Sequence, residues 1–338
     1  MKTRADARPG PVLALVGPTA AGKTALALAL APGLGAEIVS ADAMLVYCGM
    51  DIGTAKPTPT ERARVPHHLV DVVDPSEDFS VARFQPLARA AIADVLARGA
   101  VPLLVGGSGL YFHAVVDEFV FPPTDATVRA RLEAEAAEAG LAPLYRRLVE
   151  RDPEAAARIQ PANLRRIVRA LEVIELTRRR FSSFREAMDQ PVSRYRLTVL
   201  GLDPGPQLLR ARVAERVASM AAAGLVDEVR LLATHTLSRT ARQALGYKEL
   251  LDALERGTPV EAALDEVVAR TRSYARRQLA WFRRDARVRW GTLPPGPGLE
   301  AWTRDELAEG LAGGSGEPQG EPQGTPPVGR APMAGGKG

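Results

Sequence analysis

Residues Gly17-Pro18-Thr19-Ala20-Ala21-Gly22-Lys23-Thr24 spell G-x-x-x-x-G-K-[ST], a pattern that calls for a strand, a tight loop and a helix in that order. The flanks agree: an apolar run at 12–16 precedes the loop and an Ala/Leu run at 25–31 comes after it. The glycines let successive backbone N–H groups and the helix N-terminus turn toward an anion. Lys23 adds a point charge, and the Thr24 hydroxyl can ligate Mg²⁺. The segment predicts a site for a polyphosphate or a diphosphate.

The chain beyond the loop narrows its use. A hydrolytic NTPase holds its Mg²⁺ with an acidic residue that ends a second buried strand. The strand-like run Val101-Pro102-Leu103-Leu104-Val105 ends instead in Gly106-Gly107-Ser108-Gly109, without a carboxylate. That argues against a motor, GTPase or ATPase and leaves small kinases and other transferases that use the loop only to grip a phosphorylated donor.

Strands at 12–16, 37–40 and 101–105, alternating with helices at 23–31 and 83–98, predict a doubly wound parallel α/β sheet, P-loop NTPase-like. From Phe121-Pro122-Pro123 the texture changes, and 125–139, 141–151 and 163–180 all read as helix with no strand between them. A strand returns at 195–202, succeeded by helices at 206–222, 224–233, 246–255 and 259–284 and a short strand at 288–290. The expected organisation is a catalytic core of 1–121 and 191–312 interrupted by a helical insertion at 122–190. The tail at 313–338, rich in Gly and Pro with Gly-Glu-Pro-Gln repeated, cannot bury enough apolar surface to offset its ordering entropy and is expected to be disordered.

The chain has 338 residues, 46% hydrophobic and 25% charged, and no apolar run approaches the ~20 residues of a membrane span. Lys2, Arg4 and Arg8 before 12–16 imitate a signal peptide, but the apolar stretch is too short and runs into Lys23. The one cysteine, Cys48, rules out an internal disulfide. A cytoplasmic, monomeric protein is expected. His67 and His68 are sequence neighbours, which on a helix or strand do not share a face, so a metal site there is not expected.

Net charge is only +4, yet all but five of the 44 basic residues are arginine. GC-rich coding would inflate arginine, and so would a phosphate-rich partner. Distribution favours the partner. Arg165, Arg166, Arg169, Arg178, Arg179 and Arg180 crowd one helix of the insertion. Arg270, Arg272, Arg276, Arg277, Arg283 and Arg284 crowd a late helix beside Tyr274, Trp281 and Phe282. Guanidiniums for phosphates and rings for bases suit a folded RNA.

Ser40-Ala41-Asp42 lies at the C-terminal end of the second strand, the edge of an open α/β sheet where ligands sit. Then come Met44-Leu45-Val46-Tyr47, Gly49 to Pro57 (G-M-D-I-G-T-A-K-P) and Pro66-His67-His68-Leu69-Val70-Asp71. These blocks, with G-P-T-A-x-G-K-T at 17–24, resemble the tRNA dimethylallyltransferases, the isopentenyl transferases that prenylate N6 of adenine at position 37 of tRNA. The resemblance continues through Leu103 to Tyr111 (L-L-V-G-G-S-G-L-Y), Arg165 to Val173 (R-R-I-V-R-A-L-E-V), Gly224 to Val229 (G-L-V-D-E-V), Gln243 to Glu249 (Q-A-L-G-Y-K-E) and Arg277 to Arg283 (R-Q-L-A-W-F-R). Only the termini lie outside it.

The resemblance implies that dimethylallyl diphosphate sits on Gly17 to Thr24 with Mg²⁺ at Thr24, that Asp42 is the general base for the N6 proton, and that Lys23, Thr24 and Ser108 complete the catalytic set. Ser108 stands where the family usually has Thr. An arginine of the segment Arg212-Val213-Ala214-Glu215-Arg216 is implied as a diphosphate clamp, and the choice between Arg212 and Arg216 stays open. For the tRNA anticodon stem-loop it implies Asp42, Ala43, Met44, Leu45, Ser108, Arg129, Gln160, Asn163, Arg165, Arg166, Arg242, Gln243, Gly246, Tyr247, Arg276, Arg277, Gln278 and Trp281. Ala43 replaces the family's usual Ser, Leu45 a frequent Gln, Cys48 a common basic residue, and Ala162-Asn163 a usual Asn-Asp. The last two fall in or near the expected RNA contacts and bear on the grip on tRNA rather than on the reaction. The competing readings are a P-loop small-molecule or nucleotide kinase and a non-enzymatic RNA-binding regulator; intact Lys23, Thr24 and Asp42 argue against the latter.

Overall fold

The computed structural model describes residues 9–184, 191–292 and 294–312. Strands β1 (Pro11–Val16), β2 (Ala36–Ser40), β3 (His67–His68), β4 (Val101–Gly106), β5 (Arg196–Leu202) and β6 (Val288–Gly291) form one sheet in the order β3-β2-β4-β1-β5-β6. Every pairing is parallel. A parallel sheet is buried on both faces, so its central strands are apolar throughout. β1 shows how the period of two divides the core. Val12, Ala14 and Val16 face one cluster with Phe84 and Phe112, while Leu13 and Leu15 face another with Ala27, Leu30 and Leu307.

Helices α1 (Lys23–Leu34) and α14 (Pro297–Ala312) cover the second face; α3 (Val81–Ala97) and α4 (Gly109–Val116) cover the first. The chain also folds α2 (Pro59–Arg64), capped by Thr58 and Glu61 in a reciprocal box. Neither α2, β3, α4 nor α14 is foreseen by periodicity. Seven of the eight residues of α4 are buried, so it lacks the polar face that a 3.6-residue pattern requires. α14 starts within a Pro/Gly-rich stretch that reads as loop.

Between β4 and β5 lie α5 (Ala126–Ala139), α6 (Leu141–Arg151), α7 (Pro153–Arg158) and α8 (Leu164–Thr177). They share a core of their own built on Leu132, Leu144, Leu148, Ile167 and Leu171. The two stretches of chain leading in and out are tied together: Glu118 donates to the Val192 carbonyl at 2.9 Å and Arg194 to that of Val116 at 2.7 Å. The last helix is shorter than its pattern suggests, because Arg178 adopts a left-handed φ of 58° at its C-cap. Arg178, Arg179 and Arg180 therefore lie beyond it. Arg169 is structural: its guanidinium donates to the Pro122 and Pro123 carbonyls and to Glu172. The expected disorder of 313–338 concerns residues outside those described.

After β5 come α9 (Pro206–Ala222), α10 (Leu225–Ala233), α11 (Arg239–Arg242), α12 (Tyr247–Arg256) and α13 (Val260–Phe282). Helices α9 and α13 pack on each other through Leu209, Val213 and Ala275. The loop from β1 to α1 is the phosphate loop of a P-loop NTPase-like fold, with β4 and β5 on either side of β1.

Candidate active site

The C-terminal ends of β1, β2 and β4 open on a cavity of about 800 Å³. Its floor is the phosphate loop. Gly17 has φ 138°, Ala20 φ 63° and Gly22 φ 97°, and a side chain on Gly17 would collide with the Leu202 carbonyl. Ala20 is held in a region alanine rarely visits, a strain that commonly marks ligand loops. Gly22 provides no side-chain cap to α1, so the first helical N–H groups are left for an anion.

Thr19, Ala20, Gly22, Lys23 and Thr24 line the cavity, as do Asp42, Ala43, Met44 and Leu45 at the end of β2. Lys23 donates to the Gly17 and Pro18 carbonyls at 2.9 and 2.7 Å. Burial first, and then the charge of Arg216, bring its amine down to about 7, while Asp42 pulls the other way. Asp42 Oδ1 accepts the Met44 N–H at 2.8 Å, and no other bond to the carboxylate occurs among the described residues. Helix α9 puts both Arg212 and Arg216 on the wall; Arg212 donates to the Ala21 carbonyl at 3.3 Å and Arg216 to that of Thr54 at 3.5 Å. Desolvation lowers the Arg216 pKa and Asp42 raises it. Helix α13 contributes Tyr274, Arg277 and Gln278. Burial, aided by the charge of Asp42, pushes the Tyr274 hydroxyl up to about 12, so it stays protonated.

The Lys23 amine, the Arg212, Arg216 and Arg277 guanidiniums and the carboxylates of Asp42, Glu61 and Glu215 thus surround a space large enough for a small diphosphate and a base. Among the described residues, no group of three or more His, Cys, Asp or Glu side chains is placed to hold a metal. Residues 45–285 match the family model described as IPP transferase, and residues 10–67 one described as isopentenyl transferase. The chain belongs to the IPP transferase family. A tRNA dimethylallyltransferase of Salinispora arenicola is 55% identical over 283 residues, 83% of this chain and 82% of the relative. One of Kineococcus radiotolerans is 54% identical over 297 residues, 85% and 92% of the two chains. The crystal structure of the full-length tRNA isopentenylpyrophosphate transferase of Bacillus halodurans superposes with a TM-score of 0.67 at 40% identity, covering 90% of this chain and 97% of that one. A eukaryotic dimethylallyltransferase solved acting on tRNA gives 0.70 at 26% identity, over 84% and 74%.

In this IPP transferase the remaining expected residues divide. Gln243 and Arg277 line the cavity, Arg277 with its guanidinium 5.8 Å from the Tyr274 ring. Ser108 is the N-cap residue of α4, yet its side chain makes no capping bond. Arg276 is exposed, and Trp281 is 39% exposed. Arg129, Gln160, Asn163, Arg165 and Arg166 belong to the helical unit, and none lines the cavity. Arg129 pairs with buried Glu172 at 3.0 Å, and Asn163 caps α8 by accepting the Arg166 N–H.

Two expected RNA contacts, Tyr247 and Gly246, need correcting. Tyr247 is a core residue, 1% exposed, whose hydroxyl donates to Glu228 at 2.6 Å; no base can stack on it. Gly246 is buried with its N–H on Glu249. Arg242, partly exposed, pairs with Glu255 at 2.7 Å, which leaves the expected contact open. Gln278 lines the cavity and also accepts the Thr19 N–H of the phosphate loop. In the late arginine cluster Phe282 is fully buried, Arg283 pairs with Asp203 and Arg270 with Glu266. Helical periodicity sets which residues share a face; it does not say which face is covered.

Sequence reasoning also passed over residues that the cavity includes. His67 lines it, with Nδ1 2.7 Å from the Val65 carbonyl and Nε2 buried without a partner among the described residues; burial lowers its pKa and keeps it neutral. The orphaned Nε2 is visible only once β3 is placed beside β2. His68 pairs with Glu37 instead. No helix among the described residues is long and apolar enough to cross a membrane.

Proposed function

We propose that this chain transfers the dimethylallyl group of dimethylallyl diphosphate to N6 of adenine 37 in tRNAs that read codons beginning with U. The names of its relatives support prenyl transfer to tRNA and not the kinase reading. The observation that carries it is the Asp42 carboxylate at the end of β2, set in the same cavity as Lys23 of the phosphate loop and Arg212 and Arg216 of α9, beside a β4 edge that ends in Gly106-Gly107 without a carboxylate.

The chemistry stems from that arrangement. Lys23, the loop N–H groups and the Arg212 and Arg216 guanidiniums hold the diphosphate and stabilise the charge that grows on it as the C1–O bond breaks. N6 attacks C1, the N6–C1 bond forms, and the N6 proton passes to the free oxygen of Asp42. Diphosphate leaves with the bonding electron pair. The amine and guanidiniums act in ground and transition states alike; the carboxylate acts when the nitrogen becomes acidic.

Mg²⁺ fits this site. Thr24 is the one hydroxyl at the loop's helix start, and with no carboxylate cluster an ion there would complete its shell with phosphate oxygens and water, as Mg²⁺ accepts. When bound it would neutralise diphosphate charge. The adenine must leave the anticodon-loop stack to reach the cavity, and Arg165, Arg166, Arg276, Arg277 and Trp281 are the surface groups we assign to the RNA. The helical unit is the proposed RNA clamp, and the enzyme is taken to work as a cytoplasmic monomer.

The test is to incubate the protein with dimethylallyl diphosphate, Mg²⁺ and unmodified tRNA and to weigh the nucleosides. One dimethylallyl unit on adenosine is expected. ATP turnover without RNA, and unaltered adenosine with it, would restore the kinase reading.

A further inference from the structure

We propose that Glu228, which does not line the cavity, positions its diphosphate-binding half by holding the 51–55 loop against Arg216. The proposal rests on reading the cavity as a diphosphate site. Glu228 spends both oxygens on this loop and its neighbour. Oε2 accepts the Asp51 and Ile52 N–H groups at 2.9 and 2.8 Å; Oε1 accepts the Gly53 N–H at 3.2 Å and the Tyr247 hydroxyl at 2.6 Å. Three consecutive backbone N–H groups converging on one carboxylate form a nest filled from within the chain. No basic side chain pairs with Glu228 among the described residues, so its charge is balanced by these dipoles alone.

The loop is pinned from above and from the far side. Gly53 lies flat on the Tyr247 ring, where any Cβ would collide. Lys56, 3% exposed in its side chain, donates to the Tyr47 carbonyl at 2.7 Å and to Asp51 and Asp71 at 2.5 Å each. One residue after Gly53, the Thr54 carbonyl takes the Arg216 guanidinium, its one hydrogen bond among the described residues. That bond is long, at 3.5 Å. Gly53, Thr54 and Ala55 line the cavity together with Arg216, and Glu228 holds the loop on which that bond depends. A carboxylate on α10 and a hydroxyl on α12 thus set a cation that faces the donor.

The experiment compares Glu228→Ala, Glu228→Gln and Tyr247→Phe. Binding of inorganic diphosphate with Mg²⁺ is measured by calorimetry, and KM and kcat are measured with dimethylallyl diphosphate and tRNA. Glu228→Ala is expected to weaken diphosphate binding and raise the donor KM by about 10- to 100-fold, the scale of a catalytic group misplaced by about 1 Å, with tRNA affinity unchanged. Glu228→Gln, which keeps one acceptor, should lie between it and the wild type, and Tyr247→Phe should move the same way by less. Adding Arg216→Ala to Glu228→Ala should cost less than Arg216→Ala alone, because the two act as one unit. A lowered Tm with wild-type diphosphate affinity, or full additivity with Arg216→Ala, would overturn the proposal and leave Glu228 a fold-stabilising residue. If Glu228→Ala does not fold, the other two variants decide in the same terms. A wild-type protein that binds diphosphate but transfers no prenyl group refutes the function proposed above, and the calorimetric comparison still decides this one.

Discussion

Gln278 Oε1 accepts the Thr19 backbone N–H at 2.8 Å, joining the arginine-bearing helix α13 to the phosphate loop across 259 residues of chain. The amide is wedged there: Gln278 is buried, and a side chain on Gly107 would collide with its Nε2. Gln278→Ala should leave the loop unsupported and lower kcat/KM for the donor by about 10- to 100-fold. Gly107→Ala should act the same way by pushing Gln278 aside. Steady-state kinetics on both variants check this, and wild-type kcat/KM in Gln278→Ala would show that the loop holds its own shape.

The Lys23 amine, lowered to about 7, makes donor binding pH-dependent. A diphosphate stabilises the ammonium form, so binding above neutral pH takes up a proton and affinity falls as pH rises; below about pH 7 the amine is already charged and the linkage vanishes. Calorimetry in buffers of different ionisation enthalpy should find proton uptake in the wild type and a smaller uptake in Lys23→Met. The same shift acts on stability. The unfolded lysine keeps its pKa of 10.5 while the folded one titrates near 7, so the unfolded state holds more protons between them. This residue therefore makes the ligand-free protein more stable as pH rises through that window. Lys23→Met should flatten the rise.

Asp42→Asn preserves the oxygen that accepts the Met44 N–H and removes the base. Single-turnover prenylation is expected to fall by about 10²- to 10⁴-fold while equilibrium tRNA binding survives. A near wild-type rate would place the base elsewhere. Loss of Mg²⁺-dependent donor binding would make Asp42 a metal-shell residue.

Arg165 and Arg166 are exposed on α8 and enter no ion pair among the described residues. Reversing both to Glu should weaken tRNA binding and reduce the salt slope by about one per arginine, with diphosphate affinity untouched. Titrations at several salt concentrations read it directly, and an unchanged slope would take the helical unit out of the RNA contact.

The phosphate loop, the apolar strands and the helices around them were legible because their signals are local. Lys23 and Thr24 come after glycines whose positions dictate the turn, and β1, β2, β4 and β5 read as apolar runs of the right length. The same reasoning misassigned Tyr247 and Gly246, since a G-Y pair looks alike at a surface and in a core, and it missed α4, whose burial on all sides erases the pattern that marks a helix.

By itself the sequence determined the order of strand, loop and helix at the anion site, the succession of elements on either side of the helical unit, and the carboxylate at the end of β2. Backbone hydrogen bonds and side-chain periodicity act over a few residues, and the chain spells them out. The tertiary structure alone decided that the sheet runs β3-β2-β4-β1-β5-β6, that α9 and α13 close over a loop some two hundred residues earlier, and that Glu228 holds Gly53. Those pairings depend on which buried faces fit together at long range, where many arrangements satisfy the same local pattern and only close packing selects one.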